Sequence, residues 1–267
     1  MSGRRYRAVL TGAAGGIGQH FALALAPECS AMLLVGRDSD KLAALRQRLQ
    51  VAYPDLSIDL VTADLGTDAG RTAVFASAKM LPGGANLLVN NAGVSDFHAF
   101  AGQNSAVTES LLTTNLLSPI LLCQKFIPLL LAQKEAQIVN VGSVFGDIGY
   151  PGFAVYCASK FGLRGFTQAL RREFSDSNLR VRYFAPRATR TGLNTSAVNA
   201  MNAELNTQSD EPKAVATAFM DFLASNQNER ILGWPERFYV VLNRLRSQIT
   251  DKAIGKQLAV IKRHLPS

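Results

Sequence analysis

A glycine-rich turn lies between a short apolar strand and an apolar helix near the start of the chain. Residues 7–11 form the predicted strand, Gly-Ala-Ala-Gly-Gly-Ile-Gly follows, and the helical pattern begins at about Gln19. Glycines at such a junction let the backbone approach a phosphate group, and the helix N-terminus supplies amide donors and positive potential. The spacing of Gly12, Gly16 and Gly18 departs from the standard G-x-G-x-x-G pattern. The turn still predicts a site for the pyrophosphate of a dinucleotide.

The alternation of strand and helix continues along the chain. Further apolar strands are predicted at 31–35, 56–62, 86–90, 137–142 and 180–185, and helices at 40–52, 105–132 and from Tyr156 onward. Such alternation predicts a single-domain α/β fold, a Rossmann-like doubly wound parallel sheet with helices on both faces. Sheets of this kind bind ligands at the carboxyl ends of their strands, where almost every polar or glycine motif of this chain falls.

Composition agrees with one domain and a large core. The chain has 267 residues, of which 48% are hydrophobic. The long apolar run within 105–132 is interrupted by prolines and polar residues, so it predicts a buried helix rather than a membrane span. We divide the chain into a cofactor half at about 1–95, a catalytic half at 96–236, and an extension at 237–267.

The cysteines indicate a reducing compartment. Cys29, Cys123 and Cys157 are odd in number and have no metal-ligand spacing, so neither a disulfide framework nor a metal site is expected. The first residues, from Met1 to Arg7, run straight into a strand without a signal-peptide pattern. From both observations we expect a cytoplasmic location.

The end of the second predicted strand bears on the choice between NAD and NADP. An acidic side chain at this position binds the ribose 2′-hydroxyl, whereas a nearby arginine accommodates a 2′-phosphate. Here Gly36 leaves the acidic position empty and Arg37 follows. The alternative is a solvated arginine in a loop. We favour NADP(H).

A serine, a tyrosine and a lysine share the stretch between residues 143 and 160. Ser143 follows a predicted strand, Tyr156 comes thirteen positions later, and Lys160 lies four residues beyond that. On a helix this last spacing places Tyr156 and Lys160 on one face. A neighbouring ammonium favours the phenolate, so we expect Lys160 to bring the pKa of Tyr156 down from its usual value of roughly 10.

Three motifs in this order resemble the short-chain dehydrogenase/reductase family. They are Thr-Gly-Ala-Ala-Gly-Gly-Ile-Gly from Thr11, Asn-Asn-Ala-Gly from Asn90, and the set of Ser143, Tyr156 and Lys160. The resemblance covers roughly residues 7–191. It implies that Tyr156 is the general acid/base, that Lys160 lowers its pKa and binds the nicotinamide ribose, and that Ser143 holds the substrate carbonyl. Asn115 would keep a water in a proton relay to Lys160.

The resemblance also implies a set of cofactor contacts. The glycines would line the pyrophosphate, the residues after the third strand the adenine, and the threonine after the sixth strand the nicotinamide carboxamide. The implied positions are Thr11, Gly12, Gly16, Ile17, Gly18, Arg37, Asp64, Leu65, Asn91, Ala92, Gly93, Tyr156, Lys160, Pro186 and Thr191. One departure is Arg187, which stands where the family usually has glycine after Pro186, and it puts the path of that loop in doubt.

The extension at 237–267 is the part least like the family. It contains seven Lys or Arg against Asp251 alone, and so contributes six of the eight net positive charges. Its spacing of apolar residues predicts two amphipathic helices broken near Gly255. The predicted stripe consists of Phe238, Leu242, Leu245, Ile249, Ile254, Leu258, Ile261 and Leu265. The helices either pack on their own domain or a sister subunit, or dock on an anionic membrane or an acyl carrier protein.

These observations predict an NADP(H)-dependent oxidoreductase that interconverts a carbonyl and a secondary alcohol. The alternative is a non-catalytic, NADP-binding regulatory or scaffold protein on the same fold. Phe145, Tyr150 and Phe153, with Phe97 and Phe100, would form an apolar pocket mouth, and the polar segment 191–211 suits a mobile lid. We expect a small-molecule substrate and a homodimer or homotetramer, with a location in the cytoplasm or at the inner face of a membrane. No nucleic-acid module is found.

Overall fold

A computed structural model describes residues 6–266 of the chain. Residues 1–5, on which most of the prediction about an N-terminal signal rests, therefore lie outside the described range. Seven strands form one sheet, and every neighbouring pair of strands is parallel. The strands are β1 Tyr6–Thr11, β2 Cys29–Gly36, β3 Ser57–Thr62, β4 Leu87–Asn90, β5 Ala136–Val141, β6 Leu179–Ala185 and β7 Glu229–Ile231.

The strand order is β3-β2-β1-β4-β5-β6-β7, with the switch point between β1 and β4. The run from Ala31 to Val35 in β2 is fully buried without alternation, as expected for a parallel strand that is covered on both faces. The carboxyl ends of β1, β4, β5 and β6 meet at the same edge of the sheet. The predicted doubly wound sheet is confirmed.

Eleven α-helices occur within residues 6–266. They are α1 Gly16–Leu25, α2 Ser39–Ala52, α3 Asp68–Met80, α4 Ser105–Leu112, α5 Ser118–Leu131, α6 Ala154–Glu173, α7 Ser196–Glu204, α8 Pro212–Ala224, α9 Glu236–Leu245, α10 Ser247–Gly255 and α11 Leu258–His264. One core cluster packs α1, α2 and α8 on one face of the sheet, and a second packs α3, α5 and α6 on the other. Phe21 of α1 stacks on Phe219 of α8 with ring centroids 4.2 Å apart.

The helical stretch from α4 to α5 is continuous, but its middle is a π-helical segment at Thr113–Leu117. By length and composition Ser105–Leu131 could cross a membrane. In this fold, however, Leu122, Phe126 and Leu130 are buried against the sheet, as the sequence predicts for a core helix. The π-helical segment carries Asn115 at its centre, a position where such segments are often functional.

The extension differs from its prediction. It forms three helices, and the apolar residues of the predicted stripe do not share one buried face. Val240 and Ile261 are buried, whereas Phe238, Leu245 and Ile249 are exposed. The inner face of α9 differs from the predicted one because its polar side chains form bonds with the domain. The apolar residues of α9 therefore point outward.

Helix α1 begins three residues earlier than predicted, at Gly16, so Gly16 and Gly18 belong to its first turn. Gly12 has a positive φ of 63°. A Cβ on Gly18 would overlap the carbonyl oxygen of Gly12. The close approach of turn and helix therefore requires glycine at position 18.

We expect Gly18→Ala to lower the free energy of unfolding by about 1–3 kcal/mol, because an inserted methyl group must displace the backbone of the turn. Gly165→Ala in α6 is the matched control, since nothing lies within 4 Å of its added Cβ. The control should be neutral or stabilising by up to about 1 kcal/mol. Urea unfolding measures both variants, and equal stability of the two would contradict the assigned role of Gly18.

Candidate active site

The turn after β1 is locked to the turn after β4. The Thr11 hydroxyl accepts hydrogen bonds from the backbone amides of Asn91 at 2.9 Å and Ala92 at 3.0 Å. The Asn91 side chain in return donates to the carbonyl oxygens of Thr11 and Gly12. A Cβ on Gly12 would come within 2.8 Å of the Ala92 Cα. These bonds hold two strand ends together and shape the glycine turn.

The N-terminus of α1 opens beside this turn. No side chain caps the first turn of α1, so its amide groups and the positive end of the helix dipole stay available to an anion. Gly16 lies against Thr191, which follows β6, and a Cβ there would overlap the threonine side chain. Ile17 and Thr191 both line the adjoining cleft. Most of the predicted pyrophosphate and nicotinamide contacts are thus brought together.

The positions predicted to select the cofactor lie at the ends of β2 and β3. Arg37 is exposed and makes no ion pair within residues 6–266. Asp38 caps α2 by accepting from the Lys41 amide. The Asp64 carboxylate accepts from the Gly66 amide at 2.9 Å, and Leu65 is buried. Within the described residues, Arg37 is therefore a cation without an ion-pair partner at the end of β2. The Asp64 carboxylate, by contrast, stabilises the loop after β3.

Ser143 follows β5 and caps a short turn by accepting a hydrogen bond from the Phe145 amide at 3.1 Å. Tyr183 of β6 supports this loop from behind: its hydroxyl accepts from the Ser143 amide at 3.4 Å. A Cβ on Gly142 or Gly146 would overlap the Tyr183 side chain. The sequence analysis missed Tyr183, although the two glycines around the serine indicate that a side chain lies against this backbone.

Tyr156 and Lys160 lie in the first two turns of α6, as their spacing predicts. The Lys160 ammonium is 5.8 Å from the centroid of the Tyr156 ring and donates to the Val141 carbonyl at 3.1 Å. Burial raises the pKa of Tyr156 to about 12, against a smaller lowering from the Ser143 side chain. Burial lowers the pKa of Lys160 to about 8.

The expected lowering of the Tyr156 pKa is therefore wrong for this arrangement of side chains. Desolvation of the phenol has a larger effect than its hydrogen bond to Ser143, because a buried phenolate loses the solvation that water gives it. The lysine itself is buried and its ammonium is directed at a backbone carbonyl. Tyr156 is consequently protonated at neutral pH.

Asn115 ties the π-helical segment to the loop after β4. Its side-chain oxygen accepts from the Val94 amide and its nitrogen donates to the Val94 carbonyl, each at 2.8 Å. A second bond from the nitrogen reaches the Ser159 hydroxyl at 3.2 Å. A Cβ on Gly93 would lie 3.3 Å from the Asn115 oxygen and 3.6 Å from the Lys160 nitrogen. Gly93 thus lies close to both the asparagine and the lysine.

A cleft of about 450 Å³ connects these groups. It runs from the glycine turn past Ser143, Tyr156 and Lys160 to apolar residues of α7 and α10. Phe145, Tyr150 and Phe153 line it as predicted, and the first two stack with ring centroids 5.0 Å apart.

Two aromatic residues were misplaced by the sequence analysis. Phe97 is buried behind Phe153, with ring centroids 4.9 Å apart, and Phe100 is exposed to solvent. Neither lines the cleft. Both belong to the loop after β4, whose path a pattern of single aromatic residues does not indicate.

The segment 191–211 contains helix α7 and is held to the extension. Glu204 at the end of α7 pairs with Arg263 and His264 of α11. Val198 and Met201 of α7 pack with Ile261 in a separate apolar cluster. The predicted lid and the predicted tail thus form one cover over the cleft.

Arg187, which stands in place of the usual glycine, joins three elements. Its guanidinium pairs with Asp210 at 2.7 Å and with Glu236 of α9 at 3.1 Å, and all three side chains are less than a quarter exposed. The only non-glycine residue with positive φ within residues 6–266 is Asn206, so the backbone at Arg187 needs no glycine. The doubt about this loop is resolved: the arginine fastens the lid and the extension beside the cleft.

A buried carboxylate links the extension to the serine loop. The Asp147 side chain is fully buried, and one of its oxygens accepts from Arg164 of α6 at 3.1 Å and from Arg244 of α9 at 2.7 Å. Asn243 also donates to the Asp147 carbonyl at 2.8 Å. Glu229 of β7 pairs with Arg164 as well. No signal in the sequence singled out this network.

Comparison with known proteins agrees with the geometry. A family model described as short chain dehydrogenase matches residues 7–202. The chain is 31% identical over 233 residues to an acetoacetyl-CoA reductase of an Acinetobacter species, with 85% of this chain and 93% of the relative covered. It is 29% identical over 231 residues to a 3alpha-hydroxysteroid dehydrogenase of Mediterraneibacter gnavus, with 85% and 92% covered.

Solved structures give the same result. A short-chain dehydrogenase from Sphingobium yanoikuyae in complex with NADPH is 26% identical, with a TM-score of 0.78 over 92% of this chain and 96% of that chain. The chain belongs to the short-chain dehydrogenase/reductase family. It is accordingly an oxidoreductase.

The Arg187 contacts lead to a stability prediction. We expect Arg187→Met to lower the free energy of unfolding by about 1–3 kcal/mol, because Asp210 and Glu236 lose a shared, largely buried partner. Arg190→Met is the matched control: its pair with Glu211 is also 2.7 Å long, but both side chains are more than 60% exposed. Exposed pairs contribute about 0–1 kcal/mol. Urea unfolding compares the two, and an effect at Arg187 no larger than the control would contradict the role.

Proposed function

We propose that this protein is an NADP(H)-dependent oxidoreductase that interconverts a ketone and a secondary alcohol on an apolar substrate. The observation that carries the proposal is the convergence of Ser143, Tyr156 and Lys160 on one cleft that also reaches the glycine turn. Asn115 and Lys160 both lie beside Gly93. A glycine cradle beside an uncapped helix N-terminus fits the pyrophosphate of a dinucleotide.

In the reductive direction, the side chains act on the carbonyl oxygen of the substrate. A bound nicotinamide supplies the hydride. Ser143 and Tyr156 hydrogen-bond the oxygen and stabilise the negative charge that develops on it. Tyr156 then donates its proton to that oxygen, which yields the alcohol. Lys160 and a water held near Asn115 return a proton to Tyr156.

The pKa of Tyr156 suits the role of acid. With a value of about 12, the phenol is protonated at neutral pH and can donate at once. The oxidative direction needs the phenolate, whose population rises with pH. The pKa of Lys160 is about 8, which is close to neutral pH. A group with such a pKa can both take up and release a proton in a relay.

Arg37 supports the choice of NADP(H). It follows β2, whose end holds the adenosine ribose in dinucleotide folds, and it has no ion-pair partner within the described part of the chain. The similar Sphingobium structure contains NADPH, which agrees with this assignment. An arginine can also bind the 2′-phosphate of NADP with two parallel hydrogen bonds. The 2′-hydroxyl of NAD cannot accept such a pair of bonds.

The cleft favours an apolar substrate. Beyond Ser143 it is lined by Phe145, Tyr150 and Phe153 and then by aliphatic residues such as Met201 and Ile254. Burial of such surface by a ligand contributes roughly 25 cal/mol per Å² before the costs of binding. A sterol-like ketone, an acyl chain or a bulky aromatic ketone would meet this lining. The relatives act, by their names, on an acyl-CoA and on a steroid.

A non-catalytic role as an NADP-binding scaffold is the weaker alternative. Burying an amine costs free energy, and a scaffold role gives no reason for the buried Lys160. It also gives no reason for the hydrogen-bonded Asn115 beside it. NADPH oxidation with a panel of ketones separates the two functions.

We also propose that the chain divides into a cofactor half at 1–95, a catalytic half at 96–236 and an extension at 237–267, and that the protein is located in the cytoplasm.

Pairing of subunits is also part of the proposal. Val107 of α4, Leu117 of the π-helical segment and Phe161 of α6 are each more than 40% exposed. Large exposed apolar side chains on neighbouring helices are typical of an interface between subunits. These helices support a homodimer or, with a second interface, a homotetramer. An acyl carrier protein is kept as a partner to be tested.

The catalytic assignment is tested by Tyr156→Phe. We expect turnover to fall by at least about a hundredfold, since general acid catalysis contributes that much or more, while NADPH binding stays nearly unchanged. In the wild-type enzyme, alcohol oxidation should accelerate from about pH 7 to pH 10 as the phenolate fraction grows. The variant should lose this rise. Near-normal turnover, or an unchanged pH profile of the variant, would remove Tyr156 from the mechanism.

The cofactor assignment is tested by Arg37→Asp. The change removes the cation that faces the 2′-phosphate and adds a repelling charge, so we expect NADPH affinity to fall at least about tenfold and NADH affinity to change little. Arg46→Asp on the outer surface of α2 is the control for charge alone. Titration of protein fluorescence measures both dissociation constants. Equal wild-type affinity for NADH and NADPH would show that Arg37 has no part in selection.

A further inference from the structure

The outward face of α9 is apolar. Phe238, Val241 and Leu245 are 51%, 54% and 77% exposed, and their spacing of three and four residues places them on one side of the helix. Trp234, 73% exposed, lies against Phe238 with ring centroids 6.1 Å apart. We call these four residues the outer apolar face.

The orientation of α9 is fixed by bonds on its opposite side. Glu236 pairs with Arg187, Arg244 pairs with Asp147, and Val240 is fully buried. A rotation that buried the outer apolar face would break both ion pairs and expose Val240. The face therefore cannot be covered by the domain to which the helix belongs, and something else must lie against it or it stays in water.

The charged residues that flank this face along the extension are basic. Arg237 stands immediately before Phe238 and Arg246 immediately after Leu245, and both are exposed. Neither makes an ion pair within residues 6–266, and the same holds for Lys252, Lys256 and Lys262 of the extension. Asp251 is the one acidic residue between 237 and 266. The extension thus combines the outer apolar face with five exposed basic residues that have no ion-pair partner within residues 6–266.

We propose that the outer apolar face of α9 docks this enzyme on an anionic lipid surface. Apolar and aromatic side chains enter the boundary between headgroups and acyl chains, where tryptophan is favoured. Arginines at both ends of the face attract the negative lipid headgroups. The helix lies on the membrane surface and does not cross it.

The charge pattern favours lipid over a second copy of the chain. In a two-fold symmetric contact the same patch meets itself, so the arginines at the two ends of this face would find only the arginines at the ends of the other copy's face, with no acidic residue of the face to pair with. A lipid surface instead supplies negative charge at every position. An acidic carrier protein would satisfy the arginines but would leave the exposed aromatic residues without a reason.

The position of the face relative to the cleft adds a functional reason. Pro235, Glu236 and Tyr239 line the cleft, and they are sequence neighbours of Trp234 and Phe238. A docked enzyme would hold its cleft close to the lipid from which an apolar ketone partitions. This last step rests on the proposed function, whereas docking itself does not.

Flotation of the full chain with vesicles tests the proposal. We use vesicles of phosphatidylcholine alone and vesicles of an equimolar mixture with phosphatidylglycerol. Binding is expected only to the mixture, and to weaken when salt is raised from about 0.1 M to 1 M, because the screening length falls from about 10 Å to 3 Å. Phe238→Ser with Leu245→Ser should weaken binding at least about tenfold. Arg237→Gln with Arg246→Gln should weaken it about 25-fold.

Controls separate docking from general loss of structure. Met80→Ser with Arg46→Gln changes an exposed apolar and an exposed basic residue elsewhere, and should leave vesicle binding unchanged. All variants should keep wild-type NADPH binding and unfolding midpoints. Lack of binding to the mixed vesicles would overturn the proposal. The proposal would also be overturned if the outer-face variants lost only dimer formation, or only binding to an acyl carrier protein, and kept vesicle binding. None of these readouts depends on turnover.

Discussion

The buried carboxylate of Asp147 is the contact on which the arrangement of the catalytic side depends. A charge removed from water is tolerated only with close partners, and Asp147 finds them on α6 and α9 in Arg164 and Arg244. Asp147 lies four residues after Ser143, and Arg164 lies one turn after Lys160. One carboxylate thus sets the serine loop, the helix of the tyrosine and lysine, and the extension relative to one another.

Burial also determines the chemistry that these groups can perform. The same loss of water raises the pKa of Tyr156 to about 12 and lowers that of Lys160 to about 8, since each environment disfavours the charged form. The phenol is therefore kept as an acid, and the amine is brought toward neutrality. In the proposed mechanism, a bound group that accepts a hydrogen bond from Lys160 would stabilise the ammonium again.

The sequence predicted those parts of the site that depend on local order. Tyr156 and Lys160 share a face because helical spacing requires it, and the glycine turn follows β1 because its close approach to α1 and to Ala92 leaves no room for larger residues. Tyr183 and Arg187 could not be predicted in the same way. Tyr183 meets the serine loop 40 residues away, and Arg187 meets Glu236 49 residues away. Such contacts follow from the packing of the sheet and its loops, which no local pattern encodes.

Helix α9 shows why periodicity alone misjudged the extension. An amphipathic pattern identifies two faces of a helix, but the direction of burial is decided by what the surrounding fold offers. Here the fold offers Asp147 and Arg187, two buried or largely buried charges, and each would lose one of its two ion-pair partners without Arg244 or Glu236. Breaking a buried ion pair leaves its remaining charge less well compensated, so both ion pairs oppose a rotation of α9. The polar edge of α9 is consequently the inner one, and its apolar face lies outward.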